Sequence, residues 1–241
     1  MLERAPLPAQ ERNTTGLDLL DASFLIGREG PSIELTLNRR PETTFGHMLA
    51  TRRSVRPDEP CSLSDIIDLL WYLHLPTTSW IADDGYRERQ MPAPSAGGRH
   101  PLSLLVVATS LTDSPPGVWA ISPADKPVLV PVEIPAETIG KILAAAATAL
   151  RASEPPPVLL VAVARSARTL SKYPWGKSLI WRDAGALLNT AHLVAHDLDL
   201  DSCLVGISET VCIPLPNTDE QLYDVGALAV GGRTTNATAE D

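Results

Sequence analysis

Cysteine is scarce in this chain. The three that occur, Cys61, Cys203 and Cys212, are odd in number, unevenly spaced and never arranged as CxxC. That excludes a disulfide framework and offers no zinc site, so reduced structural thiols are expected. Basic residues are also in deficit, 20 Lys and Arg against 29 Asp and Glu for a formal charge of -9. A nucleic-acid backbone demands the opposite surplus, so no nucleic-acid partner is expected, although a local basic pocket remains compatible with the total. No apolar run approaches the roughly 18 to 20 residues of a spanning helix. The opening MLERAPLPAQERNTTG lacks the basic, apolar, small-residue order of a signal peptide, so no membrane partner and a cytoplasmic location are expected. Three catalytic signatures are missing too: GxSxG, GxGxxG and HExxH. His192 and His196 stand at i and i+4, but Leu193, Val194 and Ala195 separate them and no third ligand is evident. Two histidines packed on a buried helix are the expectation, with no metal.

What is present is ordinary for a globular protein: 241 residues, 44% hydrophobic and 20% charged. That is enough for one full-sized domain with a substantial core. We place it at residues 16 to 233, between a flexible polar arm at 1 to 15 and a polar tail at 234 to 241. The segment GLDLLDASFLIG has helical spacing, and SIELTLN at 32 to 38 alternates like a strand. A helix over 44 to 53 is expected, with Thr44 as its cap. Residues 61 to 75 form another, with Ser62 and Asp65 as a capping box. Residues 76 to 93, mixed in charge, read as a long loop of the kind that serves as a lid or binding segment. Strands follow at 102 to 108 and 157 to 165, with an antiparallel pair, GVWAISP and KPVLVPV, between them, and a helix at 136 to 151. The longest helix is expected near 178 to 198. It is followed by a strand at 202 to 207, a short helix near 209 to 213 and a final strand at 227 to 232. The sum is an α+β chain of four or five core strands flanked by helices.

Three stretches carry chemistry. In PSAGGRHPL, residues 94 to 102, Gly97 and Gly98 free the backbone for positive φ and close approach, Ser95 adds a hydroxyl and Arg99 a cation. Such a turn can deliver backbone N–H groups to a ligand, although a surface turn uses the same residues. The cluster Arg52, Arg53, Ser54, Val55, Arg56 is suited to an anion, since guanidinium offers forked donors and serine completes the cradle. A solvated helix end is the plainer alternative. Lys172 and Tyr173 sit side by side before the long helix, and both residue types can move protons.

Taken together, RRSVR, PSAGGRHPL, SKYPW with WRDAGALLN, and the late ALAVGG resemble the nitroreductase superfamily, and within it the SagB-type dehydrogenases. The resemblance runs from about residue 44 to 233. It implies an α+β nitroreductase-like fold with a central, mainly antiparallel sheet flanked by helices. It also implies an intimate homodimer with FMN at the subunit interface. Arg52, Arg53, Ser54 and Arg56 would then hold the phosphate, ribityl and pyrimidine edge. Pro94, Ser95, Ala96 and Gly97 would come from the partner subunit, Val205 and Gly206 would lie over the ring, and Arg233 would reach the phosphate. Lys172 and Tyr173 match the pair that serves as base when such enzymes oxidise azolines to azoles in a ribosomal peptide. Such enzymes usually work with a cyclodehydratase and a precursor peptide. The helix opening Asp183-Ala184-Gly185-Ala186 lacks the histidine that members often carry after the glycine. An NAD(P)H-dependent nitro or quinone reductase of the same fold is the alternative activity. A cofactor-free scaffold subunit is the non-enzymatic one.

Overall fold

The computed structural model describes residues 31–39, 43–74, 78–83, 85–122, 127–214 and 221–234. The expected arm at 1 to 15, the helix in GLDLLDASFLIG and all but the first residue of the polar tail lie outside them.

The described elements run, in order, β1 (Ile33–Glu34), α1 (Phe45–Thr51), α2 (Leu63–His74), β2 (Thr78–Ile81), β3 (Arg87–Gln90), a 3-10 turn (Ala96–Gly98), β4 (Leu102–Ala108), β5 (Gly117–Ser122) and β6 (Val128–Pro131). Then come α3 (Ala136–Leu150), β7 (Val158–Ala164), α4 (Ser166–Leu170), α5 (Lys177–Asp197), β8 (Asp201–Val205), β9 (Cys212–Pro214) and β10 (Gln221–Gly231). One sheet takes eight of the strands in the order β1-β6-β5-β4-β7-β10-β8, with β9 on the free length of β10. Its strand pairs are antiparallel.

The sheet is central because both faces are covered. Leu104, Val106, Leu160 and Ala162 point to the side packed by α2 and α5. Their neighbours Leu105, Val107, Leu159, Val161 and Val163 point to the side packed by α3 through Ile142, Ala146 and Leu150. A strand buried on both faces needs apolar residues at every position, which is why β7 reads VLLVAVA without alternation. Each fully buried leucine there contributes on the order of 2 kcal/mol relative to exposure.

The helix ends follow their caps. Thr44 Oγ1 accepts from the His47 N–H at the start of α1. At α2 the Ser62 hydroxyl accepts from the Asp65 N–H at 3.0 Å while Asp65 accepts back from the Ser62 N–H at 3.0 Å. Both match the sequence reading.

Several expectations change. The sheet has eight strands rather than four or five. Residues 76 to 93 are not a structureless loop, since β2 and β3 pair within them as a hairpin. In β3 the buried position is a charged one, Glu88, so the strand shows no apolar alternation to detect. Residues 209 to 213 form no helix. Cys212–Pro214 pairs with β10 as a strand, which extends β10 well ahead of the expected start at 227. In SIELTLN only Ile33 and Glu34 are strand, at the sheet edge against β6.

Candidate functional site

Helix α5 is the axis of the site, and two groups of residues attach to it. Near its start, Asp183 accepts from the Ser95 hydroxyl at 2.6 Å and from the Ala96 N–H at 3.2 Å. Ser95 in turn accepts from the His100 N–H at 2.9 Å, so one carboxylate organises the whole turn. The turn then needs positive φ at Gly97 (60°) and Gly98 (63°), which only glycine adopts without strain. Burial pushes the Asp183 carboxyl above its ordinary range, opposed by the bonds from Ser95 and Ala96. A cavity of about 50 Å³ lies beside it, lined in part by Met91, Ser95, His100, His74 and Asp183.

Lys172 and Tyr173 join this turn. A Cβ on Gly97 would sit 2.6 Å from Tyr173 Oη and 3.0 Å from Lys172 Nζ, so both polar tips converge on the glycine. Lys172 Nζ donates to Glu88 Oε1 at 2.7 Å, and the Trp80 indole N–H donates to Glu88 Oε2 at 3.0 Å. The hairpin thus delivers a nearly buried carboxylate to the lysine, a residue the sequence reading passed over. Trp175 packs against Tyr173 with ring centroids 5.8 Å apart. Arg99, which the sequence marks only as a cation in this turn, is fully buried over the Tyr86 ring at 4.3 Å, with Glu88 3.9 Å from its Nε.

The second group gathers at the other end of α5. Arg52 Nη1 lies 2.9 Å from His192 Nε2 and 3.4 Å from Ser54 Oγ, and Thr51 Oγ1 lies 3.1 Å from His196 Nε2. Val55 N–H donates to the Ser202 carbonyl at 2.9 Å, which lays the RRSVR segment along β8. Arg233 pairs with Asp199, and both Arg233 and Arg52 act on His196, whose pKa falls through burial first and these cations next. Arg52 and Arg233, far apart in sequence, therefore reach the same histidine and form one patch, cationic at Arg52, with Asp199 paired to Arg233 and Asp197 opposing both on His196. Arg53 turns back to the Ala50 and Arg52 carbonyls at 3.2 and 2.9 Å, and Ser54 and Arg56 are exposed. Val205 is buried in β8 opposite Ala227, and Gly206 follows it at the surface with open space beside its Cα.

The two groups do not meet within one chain along α5. Asp183 and His192 are nine residues apart, roughly 13 Å along the axis and about half a turn around it. Among the described residues there is no cluster of three or more His, Cys, Asp or Glu that could hold a metal ion. No described helix is long and apolar enough to cross a membrane.

The histidines give the protein a pH dependence. Burial above all holds His74 and His192 down to about 4 from an ordinary 6.5. For His74 the Leu70 carbonyl opposes this, and for His192 the Arg52 guanidinium adds to it. His100 and His196 shift the same way. Between those values the unfolded chain carries protons that the folded chain does not, so stability is complete above about 6.5 and is lost as pH falls toward 4. The raised Asp183 works in the opposite direction. We expect the unfolding free energy from urea titration to be lower at pH 5 than at pH 7 by on the order of 2 kcal/mol in total, with the midpoint falling accordingly. Glutamine at both positions 74 and 192 should flatten that slope, and an equal midpoint at the two pH values in the unsubstituted protein would contradict the buried, neutral histidines.

An antiparallel sheet of this strand order, with helices on both faces, is the nitroreductase fold. A crystallised protein of Ralstonia eutropha described as a nitroreductase superposes with a TM-score of 0.58 at 18% identity, over 95% of this chain and 98% of its own. One of Anabaena variabilis, also described as a nitroreductase, gives 0.56 at 20% over 94% of this chain, which spans only 41% of that longer protein. A chain of the Escherichia coli microcin synthetase McbBCD complex, solved with truncated pro-MccB17 bound, gives 0.56 at 14%, over 94% of this chain and 84% of its own. No protein-family model matches the chain, and no curated protein is similar to it in sequence.

Proposed function

We propose that this protein is an FMN-dependent oxidoreductase that oxidises an azoline, or a comparable amino-acid-derived unit, in a ribosomally made peptide. The observation that carries the reading is the convergence of Lys172 and Tyr173 on the Gly97 turn, a proton-handling pair set against bare backbone. The donor chemistry also fits the cofactor. Arg52, Arg53, Ser54, Arg56 and Arg233 suit a phosphate and the polar edge of a flavin. Pro94, Ser95, Ala96, Gly97, Val205 and Gly206 offer flat backbone to a ring. Bound FMN would supply the acceptor for hydride. The chain's own part would be to hold the phosphate, to shape the turn through Asp183, and to take the substrate proton at the Lys172–Tyr173 pair once Lys172 has passed one of its own protons to Glu88, the carboxylate that holds it.

A second copy of the chain completes this site. The cationic patch and the Gly97 turn lie on opposite sides of α5, so a single ring touched by both needs one from each of two protomers. Exposed Phe45, Leu49, Trp181 and Leu204 offer the apolar surface for such a pairing. The likeness to a chain of a microcin synthetase complex supports a place beside a cyclodehydratase acting on a precursor peptide.

The test is to add FMN to the purified protein, record its flavin absorbance, and supply a synthetic peptide bearing one thiazoline in air. Loss of two hydrogens from the peptide, read by mass spectrometry, is the expected result. The likeness to two proteins described as nitroreductases favours one second reading, an NAD(P)H-dependent reductase of nitro compounds or quinones. Steady NAD(P)H oxidation with the thiazoline untouched would establish it. Failure to take up FMN at all would leave the scaffold role.

A further inference from the structure

We infer that His192 is a positioning residue for Arg52 and so sets the phosphate end of the flavin site; the inference rests on the function proposed above. His192 is 1% exposed, and both of its ring nitrogens are engaged. Nε2 lies 2.9 Å from Arg52 Nη1, and Nδ1 lies 2.7 Å from Ser202 Oγ. A guanidinium only donates, so Nε2 must be the acceptor. The ring hydrogen then sits on Nδ1 and is donated to Ser202, which fixes the neutral tautomer and the plane of the ring. Burial and the adjacent Arg52 keep the ring uncharged down to about pH 4.

The consequence falls on the arginine. Ser202 is itself 2% exposed on β8, and its carbonyl accepts the Val55 N–H at 2.9 Å. The RRSVR segment is therefore tied to one buried serine twice, by its backbone and through His192. Arg52 spends Nη1 on His192 and, at 3.4 Å, on Ser54 Oγ. Among the described residues its Nε and Nη2 have no hydrogen-bond partner. Those two groups form the edge that takes two oxygens of a phosphate side by side. Read from sequence as ordinary core packing, His192 instead decides which edge of Arg52 is free.

The test separates phosphate binding from packing. The flavin-stripped protein is titrated with FMN and with riboflavin, which lacks the phosphate, by fluorescence. His192→Leu should weaken FMN about 10-fold, the worth of one charge-assisted hydrogen bond, and leave riboflavin unchanged. His192→Gln, whose amide oxygen can accept from Arg52, should recover most of that loss. Arg52→Ala with His192→Leu should bind FMN no more weakly than Arg52→Ala alone, because the histidine acts only through the arginine. If His192→Leu does not fold, Ser202→Ala removes the tautomer lock with little change of volume and should show the same selective loss. Equal losses for FMN and riboflavin, or additive effects in the double variant, would reduce His192 to packing and overturn the inference. If the unsubstituted protein takes up no FMN, the flavoenzyme reading falls and takes this inference with it. Uptake by the unsubstituted protein with unchanged variants overturns the role of His192 alone.

Discussion

Lys172→Ala and Tyr173→Phe should each lower turnover of a thiazoline-bearing peptide by about 10² to 10⁴, the usual worth of a positioned proton-transfer group. FMN affinity should move far less than turnover in either variant. The phosphate grip is untouched, because the pair sits at the Gly97 turn near the start of α5, whereas Arg52 and Arg233 gather near its end. Lys172 is held by Glu88 Oε1 at 2.7 Å and Tyr173 by packing against Trp175, so neither change creates a large cavity. Glu88→Gln adds a graded arm, because it keeps an acceptor for Trp80 but removes the charge that fixes the lysine, and an intermediate loss is expected. Full turnover in both Lys172→Ala and Tyr173→Phe would remove the pair from the chemistry and leave the NAD(P)H-dependent reductase as the better account.

Gly97→Ala should be nearly as damaging to turnover while costing little stability. The backbone there has φ 60°, so any Cβ carries a left-handed penalty of about 1 kcal/mol. The added carbon would meet Tyr173 Oη at 2.6 Å and Lys172 Nζ at 3.0 Å, both of them ends of flexible side chains that can move away. Moving them relieves the clash and destroys the arrangement, and a displacement near 1 Å can cost about 10²-fold in rate. Gly98→Ala is the matched control. Its φ is 63°, so its strain is the same, but its Cβ would meet Glu88 Cβ at 3.2 Å rather than the proton-handling tips. Melting temperatures should fall alike in the two variants, and turnover should fall further in Gly97→Ala. Equal turnover losses would mean that the turn matters only as backbone.

Much of this was legible in the residues. Strands β4 and β7 announced themselves because burial on both faces demands an unbroken apolar run. Helices α2 and α5 did so by spacing, and the caps at Thr44 and Ser62 by residue type. The hairpin was not legible, since its inward residue is the charged Glu88, satisfied by Lys172 from a remote segment and by Trp80 on the facing strand. For the same reason the burial of Arg99 was not legible.

The sequence by itself determined the α+β layering and the residue types that can grip an anion and move a proton, because periodicity and side-chain chemistry are local properties. Only the tertiary structure decided that Lys172 and Tyr173 reach Gly97 and that a buried carboxylate anchors the lysine. It alone decided that His192 fixes Arg52, and that the cationic patch and the glycine turn sit on opposite flanks of α5. Those are distances between residues remote along the chain, and they exist only once the sheet and helix have closed around them.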